Sequence, residues 1–168
     1  MTAKVALPPS VAPDARLLIL GSLPGEHSLG ARQYYAHPSN AFWWLLGEVI
    51  EEALVEMPYQ QRLERLKAYR IGLWDVIDSA ERLGSLDSTI RNAVHRDLAG
   101  FAATLPELHA IAFNGGEASR RGRRQLAGID RYTLIDLPSS SAAHAGMPRA
   151  TKREAWIELR RYIGMPML

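Results

Sequence analysis

The run QYYAHPSNAFWW (residues 33–44) crowds Tyr34, Tyr35, His37, Asn40 and Phe42 into one short segment. Flat aromatic rings can stack on a ligand ring, and an asparagine amide offers both a donor and an acceptor. A helix start needs a single capping group, so this set is richer than capping requires. Ser39 or Asn40 can cap the helix that follows, and Asn40 can equally orient a water or read a base edge. Trp43 and Trp44 read as core.

Three further runs carry chemistry-bearing side chains. GSLPGEHS (residues 21–28) has Gly21 and Gly25 for close backbone approach and Pro24 to stiffen the turn. It is neither a Walker loop nor a GxGxxG fingerprint. FNGG (113–116) places Asn114 where it either binds a ligand or caps a helix. LPSSSAAHAG (137–146) offers Ser139, Ser140, Ser141 and His144 without the G-x-S-x-G elbow of a hydrolase nucleophile. His27, His37 and His144 could together hold zinc, although their spacing matches no established ligand pattern. Glu26, Asp75, Asp78, Asp87 and Asp136 are each a possible base, or a solvated or capping carboxylate. Arg120, Arg121, Arg123 and Arg124, with Arg149, suit either a solvated face or phosphate contact.

The elements that position these residues follow from the apolar pattern. Continuous apolar runs at 16–21, 71–77, 109–116 and 132–141 predict buried strands. Helical spacing predicts helices from about residue 41, from Pro58, over 94–105, from 116 to about 126, and over 151–163 with Thr151 as cap. Residues 22–39 and 78–92 read as loops. This alternation predicts an α/β fold, a parallel sheet with helices on both faces. The loops that follow the strands then emerge at the carboxyl edge of the sheet, where open α/β sheets bind ligands.

Composition limits the rest. The chain has 168 residues, 47% apolar and 23% charged, which suits one globular domain with a real core. Residues 1–15, with Pro8, Pro9 and Pro13, read as an extended arm, and 16–168 as the domain. A net charge of +2 is compatible with nucleic acid without demanding it. No cysteine is present, which excludes disulfides, cysteine-ligated zinc and iron–sulfur clusters. With no signal-peptide pattern at the start and no apolar run long enough to span a bilayer, the sequence reads as soluble and cytoplasmic.

GSLPGEHSL, QYYAHPSNAFW and LPSSSAAHA, supported by GLWDVIDSAERLGSLDSTIRN and IAFNGGEA, resemble the motifs of the uracil-DNA glycosylase superfamily. The branch most resembled is that of the hypoxanthine-DNA (deoxyinosine) glycosylases, and the resemblance runs from about Arg16 to Trp156. It implies a three-layer α/β/α sandwich around a four-stranded parallel sheet. It also implies a monofunctional enzyme that cuts the N-glycosidic bond of a deaminated base in DNA, leaving an abasic site. Hypoxanthine is the base implied first, with uracil or xanthine as related targets. No metal or organic cofactor is implied, and the protein is expected to be monomeric.

Carried over motif by motif, the resemblance makes Asn40 catalytic, with Ser22 at the water-positioning place. Gly21, Pro24, Gly25, Tyr35, His37, Phe42, Asn114 and His144 become the base pocket. Ser139, Ser140, Ser141, Ala143, Gly146 and Arg149 become the DNA-contacting set. Two positions depart from the pattern. Ser22 stands where many members have Asn or Asp, and Ala142 stands where the branch often has proline. Two other readings remain open on the sequence: a metal-dependent hydrolase using the loop histidines, and a lesion-binding protein without catalysis.

Overall fold

The structure, a computed structural model, describes residues 3–143 and 146–167. After a short strand β1 (Ala3–Val5) come β2 (Leu17–Gly21), α1 (Glu26–Ala31), α2 (Phe42–Ile50) and α3 (Tyr59–Ala68). Next are β3 (Ile71–Asp75), β4 (Ile77–Glu81), β5 (Arg91–His95) and α4 (Leu98–Ala103). The chain continues through β6 (Ala110–Asn114), α5 (Gly116–Gln125), β7 (Thr133–Leu137) and α6 (Arg149–Ile157).

The four apolar runs form one all-parallel sheet in the order β3-β2-β6-β7, with the continuously apolar β2 and β6 at its centre. Side chains alternate across it. Leu17, Ile19, Ile71, Leu73, Ala110 and Ala112 meet α2, α3 and α6 on one face. Leu18, Leu20, Ile111 and Phe113 meet α4 and α5 on the other. The result is the expected α/β/α sandwich. The carboxyl ends of all four strands open on one edge, at Gly21, Asp75, Asn114 and Leu137.

Several local expectations differ from the structure. Residues 78–92, read as a loop, include most of β4 and the start of β5, which pair with β1 in an antiparallel sheet β1-β4-β5. Its strands lack a readable alternation: β4 is bulged at two places in its pairing with β5, and β5 is almost entirely exposed. The helix expected over 94–105 starts only at Leu98, where Asp97 caps it by accepting from the Gly100 amide at 3.0 Å. The last helix begins at Arg149 behind Pro148 rather than at Thr151, since proline suits a helix entrance. A short helix, α1, interrupts the loop over 22–39. Among the described residues no helix is long and apolar enough to cross a membrane.

Helix α5 lies tight against β6 because Gly122 has no side chain. A methyl group there would overlap the Phe113 ring, which is fully buried. Gly122→Ala should therefore destabilise the fold by about 1–3 kcal/mol, read from denaturant melts. A neutral or stabilising effect would show that the helix can lift from the sheet freely.

Candidate functional site

A pocket of about 340 Å³ opens at the carboxyl edge of the parallel sheet. Its floor is the ends of three strands: Gly21 of β2, Asp75 of β3 and Asn114 of β6. Asp75 is 2% exposed, and its Oδ2 has no hydrogen-bond partner. Burial pushes its pKa up to about 7, with the Asp87 charge adding to the rise and Arg96 and Arg82 opposing it. The Tyr35 hydroxyl is also buried without a partner. Burial raises its pKa, and the Asp75 charge raises it further.

These two groups flank Gly21. A Cβ at that position would sit 2.7 Å from Asp75 Oδ1 and 3.1 Å from the Tyr35 hydroxyl. Only glycine lets both reach the floor. Tyr35 reaches it from a left-handed backbone, with φ of 53°. Such strain in a non-glycine residue concentrates at functional sites. Phe42 supports the ring from behind, stacked at 3.7 Å between centroids and 15° between planes.

Asn40 stands at the wall, just ahead of α2. Its Oδ1 accepts from the Phe42 amide at 3.0 Å, and its backbone N–H donates to the His37 carbonyl. Capping thus occupies one end of the side chain and leaves Nδ2 as the donor for a ligand. His37 Nδ1 accepts from the Ser39 amide at 3.1 Å, which places the proton of the neutral ring on Nε2.

Two buried groups hold the walls. Ser140 accepts from Asn114 Nδ2 through its hydroxyl and donates its amide to Asn114 Oδ1, both at 2.9 Å. Its carbonyl accepts from the Ala41 amide at 2.9 Å, joining the serine loop to the start of α2. Arg82, with 1% of its side chain exposed, donates to the Leu23, Pro24 and Gly84 carbonyls and pairs with Asp87 at 3.2 Å. Asp87 in turn accepts from the Ser22 hydroxyl at 2.5 Å. The Ser22 proton is committed there, which leaves its oxygen as an acceptor in the pocket lining.

Comparison with known proteins agrees with this architecture. Residues 8–160 match the uracil DNA glycosylase superfamily. That match spans most of the chain. The chain belongs to the uracil DNA glycosylase superfamily. A Methanosarcina acetivorans protein named Hypoxanthine DNA glycosylase is 41% identical, over 84% of this chain and 88% of its own length. A Methanosarcina barkeri protein of the same name is 37% identical, over 92% and 96%. The solution NMR structure of a candidate uracil DNA glycosylase from Methanosarcina acetivorans superposes with a TM-score of 0.86 at 37% identity. That superposition covers 97% of this chain and 99% of the other.

In this superfamily member the structure gathers most of the residues named from sequence. Gly21, Ser22, Pro24, Gly25, Tyr35, His37, Asn40, Asn114, Ser139, Ser140, Ser141 and Ala143 all line the pocket. Phe42 does not. It is fully buried against Tyr35, Trp43 and Trp156, because the Asn40 bond to its amide turns the first helical turn inward. Gly146 is exposed and is not among the lining residues, while Arg149, over the Trp44 ring at 4.9 Å, lines an adjoining cavity with His37 and Asn40. His144 lies outside the described residues. His27 and His37 meet edge to face at 5.3 Å, and among the described residues no three metal-ligating side chains converge. Lys152, outside the loops in sequence, reaches back to the Ser141 carbonyl at 3.3 Å. Asp75 and Asp87, only two of five possible bases in the sequence, and Arg82, unremarked there, also line the pocket.

Asp75 generates a pH signature. Its pKa is about 7 in the folded chain against an ordinary 3.8. Between those values the folded state holds the extra proton. Stability therefore falls as pH rises through that window and levels off above it. Asp75→Asn should remove this slope, gaining on the parent by up to about 4 kcal/mol at high pH. Denaturant melts of both proteins across the window provide the check. Parallel profiles would mean that the carboxyl is solvated.

Proposed function

We propose that this chain hydrolyses the N-glycosidic bond of a deaminated base flipped out of DNA, hypoxanthine foremost, acting as a monomer in the cytoplasm. The observation that carries the reading is the unpartnered pair on the pocket floor, Asp75 beside the Tyr35 hydroxyl. Deamination replaces an amino group and a ring-nitrogen lone pair by a carbonyl and an N–H. An ionised Asp75 accepts that N–H, and the Tyr35 hydroxyl donates to the carbonyl. Adenine would set its N1 lone pair against the carboxylate, leaving buried groups unsatisfied, which is how polar sites reject a near-isostere. The named relatives support hypoxanthine as the first base to test.

The chemistry then needs little more than aimed dipoles. As the bond from the base nitrogen to C1′ lengthens, the sugar becomes oxocarbenium-like and the base gains negative charge. Asn40 Nδ2 donates to that charge, preorganised because Oδ1 is held by the Phe42 amide. A water bonds to C1′ as the base leaves. Ser22 orients it through its lone pairs, and the proton released passes by way of Ser22 to Asp87 and then to the departed base. Asp87 has a raised pKa, chiefly from burial, which suits it to hold a proton briefly. The strand itself is held by phosphate contacts from basic side chains on the rim.

Duplexes carrying one deoxyinosine, deoxyuridine or deoxyxanthosine, cleaved afterwards by alkali at abasic sites, test this reading. Deoxyinosine should be excised fastest, with or without a chelator present. Asn40→Ala should slow excision by at least about 100-fold while lowering the melting temperature by only the few degrees that loss of its bond to the Phe42 amide costs. Tight binding without strand breaks would favour a lesion-binding protein, and loss of activity to the chelator would favour a metal-dependent hydrolase.

A further inference from the structure

None of the four arginines of α5 lines the pocket. Two of them are committed on the surface of the helix: Arg120 donates to Glu117, and Arg123 pairs with Asp136. Arg121 divides itself. Its Nε donates to Glu117 at 2.8 Å, and its Nη1 reaches His95 Nε2 of β5 at 3.0 Å. Arg124 is exposed and has no hydrogen-bonded or ionic partner among the described residues.

A guanidinium has no lone pair to offer, so His95 Nε2 is the acceptor and the ring is neutral, with its proton on Nδ1. Burial, then the Arg121 and Arg124 charges, hold the His95 pKa below its ordinary value. Asp78, Arg96 and Asp97 line a shallow groove with the same histidine. Asp78 pairs with Arg96 at 3.4 Å, and Asp97 caps α4, so both carboxylates are engaged. Glu117 is shared by Arg120 and Arg121 and neutralises only one of them. A charged ring would set its Nε2–H against the Arg121 N–H. An anion placed between the two accepts from both, and it relieves the repulsion among the cations.

The cluster stands beside the pocket. His95 pairs across the small sheet with Ile77, two residues after Asp75 of the pocket floor. Helix α5 starts two residues after Asn114, also of the floor. At about 1.5 Å per residue, Arg121 and Arg124 lie about 8 to 12 Å along it, a distance of a few nucleotides on a DNA strand.

We propose that His95, Arg121 and Arg124 grip a backbone phosphate of the DNA flanking the lesion, and that His95 takes up a proton from solvent as the phosphate arrives. The phosphate replaces the contact between ring and guanidinium, accepting from the new Nε2–H and from both arginines. Such a contact positions the duplex without reading its bases. Because bound phosphate favours the charged ring, affinity is full below the free-state pKa of His95 and is lost as pH rises through the bound-state value. The inference rests on the glycosylase reading above for its ligand, DNA.

Fluorescence anisotropy with an undamaged duplex tests the clamp apart from excision. Arg124→Gln should lessen the slope of log affinity against log salt by about 1. Lowering the pH from about 8 to about 6 should tighten parent binding about 3- to 10-fold more than binding by His95→Gln, which keeps an acceptor for Arg121 but cannot charge. Both variants should melt close to the parent, as expected for exposed side chains. An unchanged salt slope in Arg124→Gln, or a parent-like pH profile in His95→Gln, would overturn the clamp. Parent excision from a deoxyinosine duplex is measured separately. Its absence would overturn the glycosylase reading, whereas normal excision without either binding signature would overturn the clamp alone.

Discussion

The structure turns on one buried carboxyl group. Asp75 ends β3 at the sheet's carboxyl edge with an oxygen that finds no partner in the protein. An unpaired ionised carboxylate in such a place opposes folding, and its raised pKa expresses that opposition. Its neighbours are arranged around it. Gly21 must be glycine to leave it room, and Tyr35 accepts a left-handed backbone to bring its hydroxyl beside it. Phe42, packed on Trp43 and Trp156, backs the tyrosine ring from the core. A floor with an unmet acceptor beside an unmet donor gains satisfaction only when a ligand of complementary edge arrives, a natural basis for selectivity.

The walls obey a different constraint, rigidity. Ser140 is bonded at its amide, hydroxyl and carbonyl, so the serine loop, the end of β6 and the start of α2 form one unit. Arg82 does the same for the loop after β2 and the loop between β4 and β5. Both groups are buried and multiply bonded, the condition under which polar interior networks add definition instead of strain. Asn40 profits from the first unit. Its carbonyl end closes the helix start, so its amide end is aimed without loss of further side-chain freedom.

The parallel sheet was legible because its inner strands, β2 and β6, are buried on both faces. LLILG and the AIAF of β6 are apolar without interruption and short, bounded by loop residues. The antiparallel sheet was not legible. RNAVH turns most of its side chains to solvent, and IDSAE is bulged, so neither shows a period of two. The pocket's ring of loop residues was readable from loop order at the sheet edge. Asp75 was one of five carboxylates with equal standing, because burial is a tertiary property. The available signal was its setting: a lone acid between IGLW and VI, inside an otherwise apolar run. Phe42 misled for the converse reason. Its place beside Asn40 suggested a ligand face, but position on the helix decided its direction and turned it to the core.

The central claim is that Asp75 meets the N–H that deamination creates. Carbon-13 NMR of the Asp75 carboxyl, above its transition at about pH 7, follows that contact while free hypoxanthine or free adenine is added. The account predicts a saturable shift with hypoxanthine and none with adenine at the same concentrations. Equal shifts with both bases, or hypoxanthine binding that leaves the Asp75 signal unmoved, would contradict it.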